Sequence, residues 1–179
     1  MGIPRLQPQT GCDLIPRVAN PSMTGDVHVR PAGPRDVEAI ARLAGELVRM
    51  HHAADPARFL LVDRVEEGYA QWLSRELGRP AAVLIVATHS ERVIGYAYGA
   101  VEGRDWNLLL DAHGAVHDVF VADDARRAGA GRKLVDAMIA ALERLGAVRI
   151  VLSTMVANEA AQRLFRSRGF RPTMLEMTR

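Results

Sequence analysis

The chain has 179 residues, 49% of them hydrophobic and 25% charged, which is the composition of a globular domain long enough to bury one core. Its 23 lysines and arginines stand against 21 aspartates and glutamates, and the two signs are interleaved, so no basic stripe points to nucleic acid. No apolar run nears the roughly 20 residues that span a bilayer, and residues 3–14 are broken by prolines, Gly11 and Asp13 instead of forming a secretory leader. A cytoplasmic protein without membrane contact is expected.

Residues 1–26 carry Pro4, Pro8, Pro16, Pro21, Gly2, Gly11 and Gly25 without an apolar period and read as a flexible N-terminal extension. The lone cysteine, Cys12, lies there and has no partner for an internal disulfide. The domain then occupies residues 27–179. Residues 27–31 alternate as a short strand, and Pro34 opens a helix with Val37, Ile40, Leu43, Leu47 and Met50 on one face. His51 and His52 close it; adjacent residues diverge around a helix, which suits a metal ion poorly, and no metal is expected. Asp63 and Glu66 have capping-box spacing ahead of Val65, Tyr69, Trp72, Leu73 and Leu77, a second stripe in which Tyr69 and Trp72 read as core. Residues 83–88 and 93–101 read as a hairpin around His89 to Arg92. A polar loop holding Trp106 precedes a strand over residues 115–121.

That strand runs into Arg126-Arg127-Ala128-Gly129-Ala130-Gly131 and then an amphipathic helix carrying Leu134, Val135, Met138, Leu142 and Leu145. Strand, glycine-bearing loop and helix together make a phosphate cradle: the glycines clear side chains from the backbone N–H groups, and the helix aims its positive dipole end at the same point. A Walker loop would end in Gly-Lys-Ser/Thr, whereas this one continues Gly131-Arg132-Lys133-Leu134. A dinucleotide fold would place its glycines after the first strand. Residues 148–152 form a strand reached by a helical crossover, hence parallel to the one before. Asn158 caps a last helix with Ala161, Leu164 and Phe165 inward and Gly169 at its end, and residues 170–178 read as a closing strand.

The order strand, Arg126-x-x-Gly129-x-Gly131, helix, strand, Asn158-x-x-Ala161-x-x-Leu164-Phe165-x-x-x-Gly169-Phe170 resembles the GNAT superfamily of acyl-CoA-dependent N-acyltransferases from residue 27 onward. The resemblance implies a single α/β domain: a mixed central sheet, with antiparallel N-terminal strands and a parallel pair at the cofactor site, flanked by about four helices. It implies acetyl-CoA as co-substrate, with the backbone of Val119, Phe120 and Val121 beside the pantetheine and the Arg126–Gly131 loop around the pyrophosphate. Arg126 stands where the family has Gln or Arg, and Arg127 and Arg132 add positive charge there, although all three also fit solvated helix-start charges. Asn158 matches a family asparagine that contacts the cofactor. Phe165 takes the place of a tyrosine that protonates the leaving thiolate in many relatives; Ser153, Tyr96 or water would have to serve instead.

An amine acceptor is an ammonium at neutral pH and must lose a proton before it attacks the thioester. The candidates for that base are Asp118, His117 and Glu102, with Glu176 a fourth. Strict strand alternation would point His117 and Asp118 to opposite faces, leaving one of them for the acceptor. A backbone N–H near Phe120 would steady the thioester oxygen. The segment Asp118-Val119-Phe120-Val121 resembles that of polyamine- and amino-acid-type acetyltransferases, and aminoglycoside 6′-N-acetyltransferases can carry a histidine at the place of His117. The glutamate of histone-type members is Ala115 here. The implied activity is N-acetylation of a small-molecule primary amine by direct attack in a ternary complex. The alternatives are a non-catalytic acyl-CoA-binding module and a protein or peptide acetyltransferase. With one strand left to close the sheet, a homodimer covering the exposed edge is expected.

Overall fold

The computed structural model describes residues 26–179, so Cys12 and all of the expected extension except Asp26 lie outside the described residues. Five strands form one sheet in sequential order: β1 (His28–Pro31), β2 (Ala82–His89), β3 (Arg92–Glu102), β4 (His113–Val121) and β5 (Ile150–Leu152). The first four are antiparallel neighbours, and β5 joins β4 in parallel. The helices are α1 (Val37–Ala54), α2 (Val65–Glu76), α3 (Ala130–Arg144) and α4 (Glu159–Arg166). This is the mixed α/β architecture expected.

Helices α1 and α2 cover one sheet face, placing Ile40, Leu43, Leu47 and Leu73 against Val86, Tyr96, Tyr98 and Phe120. On the other face α3 packs Leu134, Met138 and Leu142 against Ile85, Ala97 and Val116. The α1 stripe follows the expected helical period, and a 3-10 turn at Pro34–Asp36 leads into it. Buried Asp36 ends that turn; it accepts two hydrogen bonds from Arg30 of β1, at 2.7 and 2.8 Å, and one from the Gly33 N–H. The Arg30 guanidinium holds the Asp36 carboxyl below the usual carboxylate range. The β2–β3 hairpin turns through Ser90 and Glu91, at φ of 46° and 66°, the geometry of a two-residue type I′ connection.

Two expectations fail. The Asp63/Glu66 capping box does not form: Arg64 sits at the α2 N-cap in left-handed conformation, and Glu66 reaches across to Arg49 of α1 rather than back to its own helix end. Residues 170–178 form no strand, although Gly169 ends α4 at φ +89° as expected. Their alternation lacks a paired neighbour, and the segment is tied down instead by the ion pair between Glu176 and Arg58.

The β3–β4 ladder is interrupted once. Glu102 pairs with His113 and Ala100 with Ala115, but beyond the interruption Tyr98 pairs with Asp118 and Tyr96 with Phe120. One additional β4 residue is thus accommodated next to Tyr98, which is a β-bulge at His117. Gly99 lies beside it, and a Cβ there would stand 2.7 Å from the Ala115 carbonyl oxygen and 2.9 Å from Met138 Sδ. Gly99→Ala is expected to destabilise the fold by about 1–3 kcal/mol through overpacking. Gly103→Ala, where a Cβ meets nothing within 4 Å, should stay within about 0.5 kcal/mol of the parent. Urea unfolding of both variants checks this.

Candidate active site

The bulge decides which side chains meet. Along β4, His113 and Ala115 face the α1–α2 side, and an uninterrupted strand would send His117 with them and Asp118 to the α3 side. The additional residue resets the phase, so that His117 and Asp118 line the same pocket, together with Tyr98 of β3 and Tyr69 and Trp72 of α2. The expected divergence of His117 and Asp118 is therefore corrected. The pocket has a volume of about 360 Å³. Tyr69 and Trp72 form part of its wall in addition to packing on the core. Their rings meet edge to face at 5.8 Å, and Trp72 meets Tyr98 in the same way at 4.6 Å.

Each acid around this pocket is engaged. The hydroxyl of Tyr96, fully buried, donates to Asp118 Oδ2 at 2.9 Å. Tyr98 donates to Glu76 at 2.5 Å, and Glu76 also pairs with Arg79 at 3.1 Å. His117 Nε2 donates to Glu102 Oε1 at 2.8 Å, and buried His113 stands 3.7 Å from the other Glu102 oxygen. Because a carboxylate only accepts, this bond places the neutral imidazole's proton on Nε2 and its basic lone pair on Nδ1. The His117 ring lies 5.4 Å from that of Tyr98 at an interplanar angle of 24°. His51, at the C-terminal end of α1, stacks on Phe59 at 4.9 Å, and burial pulls its pKa down against the opposing field of Asp118.

The open edge of β4 is the second half of the site. β5 covers only Gly114, Ala115 and Val116, so β4 from His117 onward has no neighbour on that side among the described residues. Ala122 N–H bonds to Ile94 O at 2.9 Å, which sets the phase: Phe120 is directed toward β3, while the N–H and C=O groups of Val119 and Val121 face the open side. The N–H available for a bound oxygen is thus that of Val119 rather than Phe120.

Beyond Val121 the chain makes a 3-10 turn at Asp123–Ala125 and enters the glycine loop. Arg127 and Gly129 are left-handed, at φ of 73° and 79°, and α3 begins at Ala130. Among the described residues no group accepts from the backbone N–H groups of Arg127, Ala128, Gly129, Ala130, Gly131 and Arg132. Left-handed residues alternating with others turn successive N–H groups toward one concavity, and a Cβ on Gly129 would meet nothing within 4 Å. The cradle therefore fits a pyrophosphate. Arg126 folds back over the strand end, 2.6 Å from Asp123, 3.4 Å from the Val121 carbonyl and over the Phe120 ring. Arg127 is exposed, and exposed Arg132 lies 3.8 Å from Asp136.

Asn158 makes its cap, its side-chain oxygen accepting from Ala161 N–H at 3.1 Å. Phe165 is buried against Phe170. Exposed Ser153 follows β5, while Tyr96 has its hydroxyl proton committed to Asp118 and its pKa raised well above the ordinary value by burial. Glu176 is exposed, bound to Arg58 and absent from the pocket lining. Trp106 is 73% exposed with Arg104 over its ring. No helix among the described residues is long and apolar enough to cross a membrane, and none of them cluster as a metal site.

Comparison with known proteins matches residues 47–170 to the model of the acetyltransferase (GNAT) family. The spore coat polysaccharide biosynthesis protein SpsD of Bacillus subtilis (strain 168) is 38% identical over 82 residues, or 45% of this chain. That match spans 27% of the length of SpsD. Among solved structures, a tetramutant of the BH1408 protein from Bacillus halodurans has a TM-score of 0.72 at 19% identity, covering 84% of this chain and 97% of that one. The aminoglycoside N-acetyltransferase AAC(6')-Iy in complex with CoA has a TM-score of 0.70 at 16% identity, covering 93% and 97%. At these identities the two structures speak for the fold alone.

Burial pushes the Asp118 carboxyl above the usual carboxylate range, against the Tyr96 hydrogen bond and the fields of His117 and His51. A carboxyl whose pKa is higher folded than unfolded contributes stability that is present at low pH and lost as pH rises through the folded value. Asp118→Asn removes that charge and keeps an acceptor for Tyr96. It is expected to raise the thermal midpoint at pH 8 and to lose this advantage below about pH 4, where the native carboxyl is protonated in both states. Circular-dichroism melts at the two pH values check this; a lower midpoint for the variant at pH 8 would contradict it.

Proposed function

This chain belongs to the GNAT acetyltransferase family, and from that premise we propose that it transfers the acetyl group of acetyl-CoA to a primary amine of a small molecule by direct attack in a ternary complex. The observation that carries this reading is the meeting, at one point of β4, of an open main-chain edge leading into the cradle and a pocket containing His117 and Asp118. Val119 and Val121 bind the pantetheine amides as an added strand would, and the N–H groups from Arg127 to Arg132 hold the pyrophosphate. Acetyl-CoA, when bound, supplies an acetyl thioester whose carbonyl carbon is the electrophile.

The protein's part is proton handling and orientation. Asp118, a carboxylate with a neutral hydrogen-bond donor and no cation bonded to it among the described residues, receives the acceptor's ammonium. His117 takes the proton through Nδ1, and Glu102 stabilises the imidazolium that results. Tyr96 is a positioning residue that fixes the Asp118 carboxylate. The Val119 N–H steadies the thioester oxygen. Phe165 cannot donate a proton and the Tyr96 hydroxyl is committed, so the departing thiolate takes its proton from Ser153 or solvent, and the second N–H proton of the tetrahedral adduct passes to solvent.

Thiol release from acetyl-CoA, followed across a panel of amines, tests the reading. Turnover with at least one small amine is expected, and tight acetyl-CoA binding with no turnover would favour a binding module. His117→Ala should lower kcat by about a hundredfold or more. Glu102→Gln should reduce kcat less and leave the amine KM near the parent value, whereas Asp118→Asn should act mainly by raising that KM. Unchanged kcat and KM in both His117→Ala and Asp118→Asn would remove these residues from the mechanism.

A further inference from the structure

The acceptor pocket carries information on the body of the amine as well as on its reacting nitrogen. Its wall is aromatic, formed by Tyr69, Trp72 and Tyr98, and the one carboxylate in its lining is Asp118. The two acids behind the lining are held by other partners: Glu76 by Tyr98 and Arg79, and Glu102 by His117. A second or third ammonium on the acceptor would lie against the rings and the His117 imidazole with no second carboxylate in the lining to pair with it, and an unpaired charge brought out of water is costly. A polyhydroxylated body fares little better. The Tyr98 hydroxyl already donates to Glu76, and the Tyr69 hydroxyl, the Trp72 indole N–H, His117 and Asp118 would serve only part of a ring of sugar hydroxyls. Tyr69, its pKa pushed up to about 12 chiefly by burial, stays neutral and adds no charge to the wall.

The rings themselves suit a flat apolar partner. Edge-to-face contacts hold Tyr69, Trp72 and Tyr98 in fixed mutual orientation, and because His117 stacks on Tyr98, Trp72 and Tyr69 are the rings left to meet an aromatic ring or the ammonium beside it. A volume of about 360 Å³ corresponds to roughly a dozen waters, room for one ring and a short chain. Resting on the acetyltransferase reading above, we propose that the acceptor is a singly charged primary amine carrying one aromatic ring, with its ammonium at Asp118 and its ring against Trp72 and Tyr69.

The test compares 2-phenylethylamine with spermidine, kanamycin and glucosamine at saturating acetyl-CoA. The proposal expects kcat/KM for 2-phenylethylamine to exceed each of the others by about tenfold or more, the scale of one desolvated ring contact. Trp72→Ala should raise the KM for 2-phenylethylamine about tenfold with little change in kcat, and Trp72→Phe, which keeps a ring and guards against misfolding, should restore most of the difference. A preference for spermidine, kanamycin or glucosamine overturns the proposal while leaving the acetyltransferase reading intact. If no amine is turned over, the acetyltransferase reading fails, and calorimetric titration of the CoA-loaded protein decides the pocket separately. Saturable binding of 2-phenylethylamine that weakens in Asp118→Asn supports the proposal, and absent binding or tighter binding of spermidine overturns it.

Discussion

The constraint on which the site depends is the interruption of the β3–β4 ladder at His117. A β-strand alternates its side chains strictly, so neighbouring residues cannot serve one pocket unless the ladder slips. Here it slips by one residue, and His117 and Asp118 come to the same face while Val119 and Val121 stay packed toward α3. β5 ends at the same place, pairing no further than Val116. The bulge and the end of the parallel pair thus divide β4 into a structural half, hydrogen-bonded on both sides, and a half with one edge free. Gly99 makes this geometry possible by letting β3 approach the Ala115 carbonyl more closely than any side chain would allow.

The charges follow a matching logic. Glu76 is paired with Arg79, which compensates its charge, and Glu102, which accepts from the neutral His117 imidazole, is half-exposed and so solvated. Asp118 is given only the hydroxyl of Tyr96, a neutral donor that orients the carboxylate without cancelling its charge. Burial of an anion so treated opposes folding at neutral pH, which is why its carboxyl titrates high. Binding sites commonly retain such a stability deficit because the same unsatisfied field favours the ligand. In the proposed reaction, the ammonium of the acceptor amine is the group whose arrival compensates it.

How much of this was legible in the chain depends on how local each feature is. The glycine loop, the helix after it and the Asn158 cap are set within a few neighbouring residues, and they stand where sequence spacing placed them. The bulge is a property of two strands in register, and nothing within residues 115–121 announces it. Tyr69 and Trp72 fall on the same helical stripe as Leu73, so periodicity assigns them to the core, and only the placement of α2 over β3 and β4 shows that the stripe continues into a pocket wall. Residues 170–178 fail as a strand for the converse reason: alternation permits a strand, but a ladder needs backbone pairing, and these residues pair with neither the outer edge of β5 nor the open part of β4. The capping-box spacing at Asp63 and Glu66 was likewise overruled by a tertiary partner, Arg49.

The two substrates consequently differ in how they are written into the protein. In the proposed assignment the donor is received by main-chain groups, those of Val119, Val121 and the loop from Arg127 to Arg132, and main-chain recognition constrains sequence only where a side chain would obstruct or where φ must be positive. That requirement reduces to a short pattern of glycines between a strand and a helix. The pocket proposed for the acceptor is lined by side chains from α2, β3 and β4, brought together across the sheet by a register that no short pattern encodes. Side chains of this kind can be exchanged one at a time without disturbing the ladder that holds the donor. A fold built this way can keep its acyl donor while its acceptor changes, and the acceptor must be read from the pocket wall of each protein separately.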